Sequence, residues 1–207
     1  LDLCWIHLIQ RHGRPVCRLN GATFERGFAV IAYGKLGGLE LGYGSDLDLV
    51  FLHAGVGETT RGGKKPVDDT TFFARLGQRV LHVLTAHTPA GFLYPVDMRL
   101  RPSGASGLLV SPVKAFSRYQ EEDAWTWEHQ ALVRARTVGG DPGIAAAFEQ
   151  CRKKVLSIRR DPGRLQEEVA AMRERIRQEK APAGSADFDL KQGSGGLVDI
   201  EFLVQYL

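Results

Sequence analysis

The sequence is short of the features that define several protein classes. It has three cysteines in 207 residues, Cys4, Cys17 and Cys151, widely spaced and with no Cys-x-x-Cys pair. That spacing excludes zinc-ligand motifs and argues against a disulfide framework; it fits a reducing, cytoplasmic setting. No apolar run approaches the ~20 residues needed to cross a bilayer, so no membrane partner is expected. Leu1 to Trp5 carry no basic region and no cleavage site, so they do not read as a signal peptide. An initiator Met is missing, and the pattern at Phe202–Leu207 stops midway, so the chain reads as a piece of a longer one. A large charge excess is absent too: 27 Lys and Arg stand against 24 Asp and Glu, a formal net charge of +3. This suits a phosphate-bearing ligand but falls short of the basic excess of many nucleic-acid binders, and no nucleic-acid partner is expected.

What is there is an ordinary globular composition, 43% hydrophobic and 25% charged, long enough for one large domain or two small ones. Leu1, Trp5, Leu8 and Ile9 recur at helical spacing up to Gly13. Phe28–Tyr33 is a short apolar run that predicts a buried strand. Five glycines follow in eleven residues, Gly34, Gly37, Gly38, Gly42 and Gly44, marking a tight turn. Leu47–His53 predicts a second strand, with Asp46 and Asp48 sharing one face. Residues 55–66 read as a flexible surface loop. Asp69 is a candidate cap for a helix reaching about His87. Phe92–Arg101 reads as a third strand, with Asp97, Arg99 and Arg101 on one face. Ser111-Pro112 reads as the start of a helix. From there to about Lys180 the pattern is helical, with breaks near 139–142 and 161–163. Residues 181–196 read as a loop, and Leu197–Leu207 as a last helix. The expected class is α+β: a mixed sheet flanked by helices over 1–111, then a helical bundle region over 112–207.

The chemistry concentrates at Asp46 and Asp48. Carboxylates at i and i+2 of a strand lie roughly 6–7 Å apart on one face. They repel one another and favour a cation; oxygen ligands that leave room for water and phosphate suit Mg²⁺. The pair alone also fits solvated strand-end carboxylates. Two additions sharpen it. The glycine turn lies directly ahead, where backbone N–H groups can cradle phosphate, and Ser45 adds a hydroxyl. It is neither a P-loop nor a dinucleotide fingerprint. Asp97 supplies a third carboxylate, with Arg99 and Arg101 beside it. That set matches the needs of a two-metal phosphoryl site, with the arginines taking up phosphate charge. Ordinary surface pairing is the plainer reading of both arginines.

The segments Tyr33-Gly34-Lys35-Leu36-Gly37 and Ser45-Asp46-Leu47-Asp48-Leu49 resemble the nucleotidyltransferase superfamily that includes DNA polymerase beta, with Lys35 in place of the usual serine. The longer string Gly34–Phe51, with Val96–Gly104, Glu121–Arg136 and Gly195–Phe202, is similar to the glutamine synthetase adenylyltransferase family. The resemblance runs from about residue 28 to the end and leans toward that family's AMP-attaching, C-terminal domain. It implies a nucleotidyltransferase fold and AMP transfer from ATP to a tyrosine of glutamine synthetase. It implies Asp46, Asp48 and Asp97 as Mg²⁺ ligands and catalytic residues, with Gly34 and Ser45 in the nucleotide turn. Lys35, Arg99 and Arg101 are candidates for the β- and γ-phosphates, and Asp97 serves as ligand, general base or both. A PII-type signalling protein is implied as a partner of the full-length enzyme. Alternatives are phosphorolytic removal of AMP, another acceptor, or an inactive nucleotide-sensing module; the intact Asp triad weighs against the last.

Other residues read more plainly. The six histidines are scattered. One of Trp125 and Trp127 is expected in the core, since residues two apart on a helix cannot share a face. Asp199 and Glu201 suit the start of a helix. Arg152–Lys154 and Arg159-Arg160 read as a solvated helix face.

Overall fold

A computed structural model describes residues 1–180 and 189–206. Of the loop expected over 181–196, the part before residue 189 lies outside the described residues, as does Leu207. The elements in chain order are α1 (Asp2–His12), β1 (Gly13–Arg14), β2 (Cys17–Leu19), β3 (Ala22–Phe24), β4 (Phe28–Ala32) and the single turn α2 (Gly34–Gly37). Then come β5 (Leu47–His53), β6 (Arg61–Gly62), α3 (Asp69–Leu84), β7 (Val96–Asp97) and β8 (Val110–Pro112). The remainder is α4 (Val113–Glu122), α5 (Thr126–Leu132), β9 (Arg136–Gly140), α6 (Pro142–Leu156), α7 (Pro162–Lys180) and α8 (Leu197–Tyr206).

The main sheet is mixed, in the order β7-β5-β4-β9, with β8 also paired to β5. Strands β4 and β5 are antiparallel, Phe28 opposite His53 and Ala32 opposite Leu49. Both β7 and β8 run parallel to β5, at opposite ends of it. Every residue of β4 is buried, and so is all of β5 except Asp48, as expected of strands covered on both faces. On one face Phe73 of α3 stacks on Phe28 and on the His53 ring. Helix α3 comes close enough that a Cβ on Gly77 would lie 2.6 Å from Val110 Cγ2. The other face carries α4 and α6, joined through Phe116 and Phe148 with ring centroids 5.8 Å apart. Truncating any one of these buried phenylalanines to Ala would cost about 3–5 kcal/mol.

Several expectations change. The strand expected over Phe92–Arg101 shrinks to Val96–Asp97. Phe92 and Leu93 are exposed, because Pro95 limits pairing to the segment's end, and the chain turns immediately after Asp97. Ser111 and Pro112 close β8, and α4 starts at Val113. The cap of α3 is Asp68, whose carboxylate accepts from Thr71 N. Asp69 is fully buried and accepts N–H bonds from Val56, Gly57 and Glu58. The 55–66 segment is therefore tied to α3, and its Arg61–Gly62 pairs with β1. The second half is not helical throughout: β9 joins the sheet beside β4, and among the described residues no separate helical bundle follows. Neither tryptophan is buried. Trp125 is 65% exposed and Trp127 half-buried, because the chain enters α5 only at Thr126. The three cysteines are buried and free.

Candidate active site

The first residues of β5 are fixed from both sides. Tyr33 N donates to Asp48 O at 2.9 Å, and Leu47 N donates to Pro95 O at 2.8 Å. The parallel register places Asp48 directly opposite Asp97. Two acidic side chains from separate strands thus meet at one end of the sheet, with Asp46 just ahead. Asp48 is half-buried, and its pKa is raised, first by burial and then by the charges of Asp97 and Asp46. Asp97 and Asp46 crowd Asp48 with like charge, which the Arg99 and Lys191 cations offset only in part. The cluster's donors are all carboxylate oxygens, which fits a hard divalent cation such as Mg²⁺.

Asp97 is already engaged. Arg99 Nε donates to its Oδ1 and Oδ2 at 3.1 and 2.8 Å, Arg99 Nη2 to Oδ2 at 2.5 Å, and Arg99 N to Oδ1 at 2.8 Å. Those bonds hold the Asp97 pKa below the usual carboxylate range. Among the described residues no three His, Cys, Asp or Glu side chains converge as a ready-made metal cage. Arg99 keeps Asp97 occupied, leaving Asp46 and Asp48 as the open pair. Arg101 points its donors elsewhere: to Met98 O at 2.7 Å, Ala105 O at 2.9 Å and Gly107 O at 3.3 Å. It braces the loop that follows β7.

The glycine turn owes its composition to close approaches. Gly34 has φ 52°, and a Cβ there would overlap Asp48 Oδ2. Only glycine lets the turn and the carboxylate share that space. A Cβ on Gly37 would overlap the Arg134 carbonyl, and one on Gly38 would lie 2.9 Å from Arg134 Nε. Lys35 is exposed at the head of the turn. Ser45 is buried, its hydroxyl accepting from Gly42 N at 3.3 Å.

Facing the carboxylates is a cleft of about 330 Å³. One wall carries Lys35, Asp46 and Asp48; the other carries Trp127, Arg134 and Glu201 from the second half of the chain. Arg134 is the residue that the sequence patterns did not single out. Its Nη2 donates to Glu40 at 2.6 Å and its Nη1 to Glu201 at 3.1 Å, linking the end of the glycine turn to α8. Arg136 was missed as well; its guanidinium donates to Leu36 O at 3.0 Å and Gly37 O at 2.9 Å, capping α2. Both sit in Leu132-Val133-Arg134-Ala135-Arg136, where alternation hints at a turn into a strand, but their partners lie 94 to 100 residues upstream or, for Glu201, 67 residues downstream, beyond any local signal. Two of the histidines hold structural places: His12 contacts Lys65 O and Arg75, and His129 contacts Gln120 O and Arg160. Of the basic run, Arg152 donates to Leu132 O and Val133 O, both at 2.7 Å, instead of facing solvent.

Comparison with known proteins follows this geometry. The family model described as glutamate-ammonia ligase adenylyltransferase matches residues 1–151. A Thioalkalivibrio sulfidiphilus protein described as a bifunctional glutamine synthetase adenylyltransferase/adenylyl-removing enzyme is 58% identical over the whole chain, which covers 21% of that relative. Proteins of the same description from Nitrosococcus oceani and Pseudomonas aeruginosa are 56% and 53% identical, with 21% and 22% of their lengths covered. The chain spans about a fifth of the curated relatives it matches. A solved structure described as a toxin-antitoxin with AMP-PNP aligns at TM-score 0.29 and 13% identity over 86% of this chain and 96% of its own, too distant a likeness to bear on the reading.

Proposed function

The chain belongs to the glutamate-ammonia ligase adenylyltransferase family, and on that premise we propose that it forms a nucleotidyltransferase site that transfers AMP from ATP to a tyrosine hydroxyl of glutamine synthetase. The observation that carries the reading is the parallel register that sets Asp48 opposite Asp97, with Asp46 just ahead of β5 and Gly34 pressed against Asp48. We take the fold to be that of the nucleotidyltransferases, with residues 1–111 as the catalytic part. We take residues 112–207 as a second part, whose Arg136–Gly140 joins the sheet.

Asp46 and Asp48 would hold Mg²⁺, with Asp97 as third ligand once Arg99 releases it. The ion would supply charge neutralisation on the triphosphate and a lowered pKa for the acceptor hydroxyl. The chain's own residues do the remaining work. The tyrosine oxygen attacks the α-phosphorus, the bond to the pyrophosphate oxygen breaks, and pyrophosphate leaves. Lys35 and Arg99 take up charge on the β- and γ-phosphates. Arg101 acts through the loop it braces, while Gly34 and Ser45 shape the nucleotide turn. A free tyrosine titrates near ~10, so its proton must be accepted as the bond forms. Asp97 has its pKa held down by the Arg99 hydrogen bonds; once released from Arg99 it would serve as ligand, as the base that takes this proton, or both. The exchange of Arg99 from Asp97 to phosphate couples ligand release to nucleotide entry.

For the longer protein the proposal extends to glutamine synthetase as substrate, a PII-type protein as signalling partner, and a cytoplasmic setting. Among the described residues no helix is long and apolar enough to cross a membrane. The test is transfer of label from ATP to unmodified glutamine synthetase in Mg²⁺, beside an Asp46→Asn, Asp48→Asn double variant. Label that appears only with the native chain supports the reading. Phosphate-dependent release of ADP from pre-adenylylated synthetase would reverse the direction. Neither activity, together with no binding of ATP, would overturn it.

A further inference from the structure

The cleft's charged groups do not all cancel. Arg134 is paired with Glu40 and Glu201. Lys35 and Lys191 also line the cleft, and among the described residues neither takes part in an ion pair. Lys35 comes from the glycine turn ahead of β5. Lys191 comes from a second glycine-rich loop, residues 189–196, ahead of α8. Its charge acts on the Asp48 carboxylate across the cleft.

The loop that carries Lys191 is built, not slack. Asp189 Oδ1 accepts from Lys191 N at 2.8 Å and from Gln192 N at 2.9 Å. Leu190 O and Lys191 O accept from Leu197 N and Val198 N, the first amides of α8, at 3.0 and 3.1 Å. A Cβ on Gly196 would meet the carbonyls of Leu190, Gly193 and Lys191 at 2.8, 2.9 and 3.1 Å, so that position must be glycine. Arg173, itself 94% buried (6% exposed), donates to Gln192 O at 2.7 Å and to Asp199 Oδ1 at 2.5 Å. Asp199 Oδ2 in turn accepts from Gly195 N at 2.7 Å. Asp199 is thus a staple of this loop, and the ordered network fixes the Lys191 backbone while its exposed side chain stays free. Ordering a backbone this thoroughly around one unpaired cation, at the mouth of a cleft that also holds carboxylates, is the arrangement a polyanionic ligand requires.

We propose that Lys191 is a second phosphate-binding cation of this site, facing Lys35 and contacting the β- or γ-phosphate of the nucleotide. The inference rests on the nucleotidyltransferase reading and deepens it: the triphosphate is gripped from both walls of the cleft, one in each half of the chain. It also gives α8 a function, since Lys191 O and Asp199 join the phosphate-binding loop to that helix.

The experiment is a calorimetric titration of the native chain, Lys191→Gln and Lys191→Arg with ATP and with AMP, each with Mg²⁺. Loss of a charge-assisted contact weakens ATP binding by about 10- to 100-fold. AMP, which lacks the β- and γ-phosphates, should bind Lys191→Gln as it binds the native chain, and Lys191→Arg should restore most of the ATP affinity. Equal weakening of ATP and AMP would assign Lys191 a structural role and overturn the proposal, as would unchanged ATP binding by Lys191→Gln. Failure of the native chain itself to bind ATP would instead overturn the underlying reading.

Discussion

Replacing Gly34 with alanine isolates the contact on which the site depends. The backbone at Gly34 is left-handed, φ 52°, and a Cβ there falls on Asp48 Oδ2. The left-handed conformation alone costs an alanine about 1–2 kcal/mol. In a chain of this length that lowers Tm by about 2–8 °C. The second consequence is local. The Asp48 carboxylate must move by the better part of an ångström, and displacement of a reacting group on that scale costs about 100-fold in rate. Gly21→Ala is the matched control. Gly21 has φ 82°, in the tight turn between β2 and β3, and a Cβ there meets nothing within 4 Å. Both variants should lose similar stability in thermal melts, and only Gly34→Ala should lose AMP transfer. If Gly34→Ala kept transfer near the native rate, or if Gly21→Ala lost as much, the argument that Gly34 positions Asp48 would be wrong.

Asp48 has a raised pKa, so its ionised form is disfavoured in the folded chain; the stability it contributes is full below the unfolded carboxylate pKa and is lost as pH rises through the folded value. Asp48→Asn should therefore melt higher than the native chain at pH 7 without divalent cation, with the gap closing in acid, while AMP transfer is abolished; a lower melting temperature at pH 7 would contradict the sign. His53 is pushed down to about 4 by burial, so it contributes stability above its unfolded pKa that is lost as pH falls through about 4. That shift corresponds to about 3 kcal/mol, and His53→Phe should show a flatter melting profile than the native chain between pH 6.5 and 4; identical profiles would remove His53 as the acid-sensitive group. Asp69→Asn places an amide donor against the N–H groups of Val56, Gly57 and Glu58 and should cost about 2–4 kcal/mol in chemical denaturation; a loss below ~0.5 kcal/mol would show that the loop does not depend on this anion.

The parts of the fold that the sequence announces are those with short-range signals. Strands β4 and β5 are dense apolar runs, bounded by glycine and by Asp46, and α3 has a continuous apolar stripe. Asp46 and Asp48 are legible because i, i+2 spacing fixes their common face before any tertiary contact is known. Asp97 was singled out by the face it shares with Arg99 and Arg101 and by its family segment, but its pairing opposite Asp48 spans about fifty intervening residues and leaves no local signal. The length of β7 was misread because Phe92, Tyr94, Val96 and Met98 alternate as a strand should, whereas Phe92 and Leu93 face solvent. Strand β9 was hidden for the opposite reason. Its residues, Arg136-Thr137-Val138-Gly139-Gly140, hold one large apolar side chain, and that one is 40% exposed. An edge strand with little to bury leaves almost no periodic signal.

The same long-range logic accounts for part of the chain's basic composition. Several of the arginines are joined to backbone carbonyls distant in sequence: Arg136 to the nucleotide turn, Arg152 to the end of α5, Arg173 to the loop before α8. A guanidinium can bind two carbonyls at once and remains charged at any accessible pH, which a lysine cannot match. Their positive charge is therefore structural and largely enclosed. Net charge alone hides this distinction, because it counts a carbonyl staple and a free surface cation equally. Once the staples are set aside, Lys35 and Lys191 stand out as exposed cations lining one cleft, beside the Asp46 and Asp48 carboxylates. A bound triphosphate with its cation would satisfy both sets together, the carboxylates through the cation and the lysines through the phosphates. Neither half of the chain provides that complementarity alone. The ties that bind the halves together, β9 in the sheet, Arg136 on α2 and Arg134 between Glu40 and Glu201, would hold the two walls in place for such a ligand.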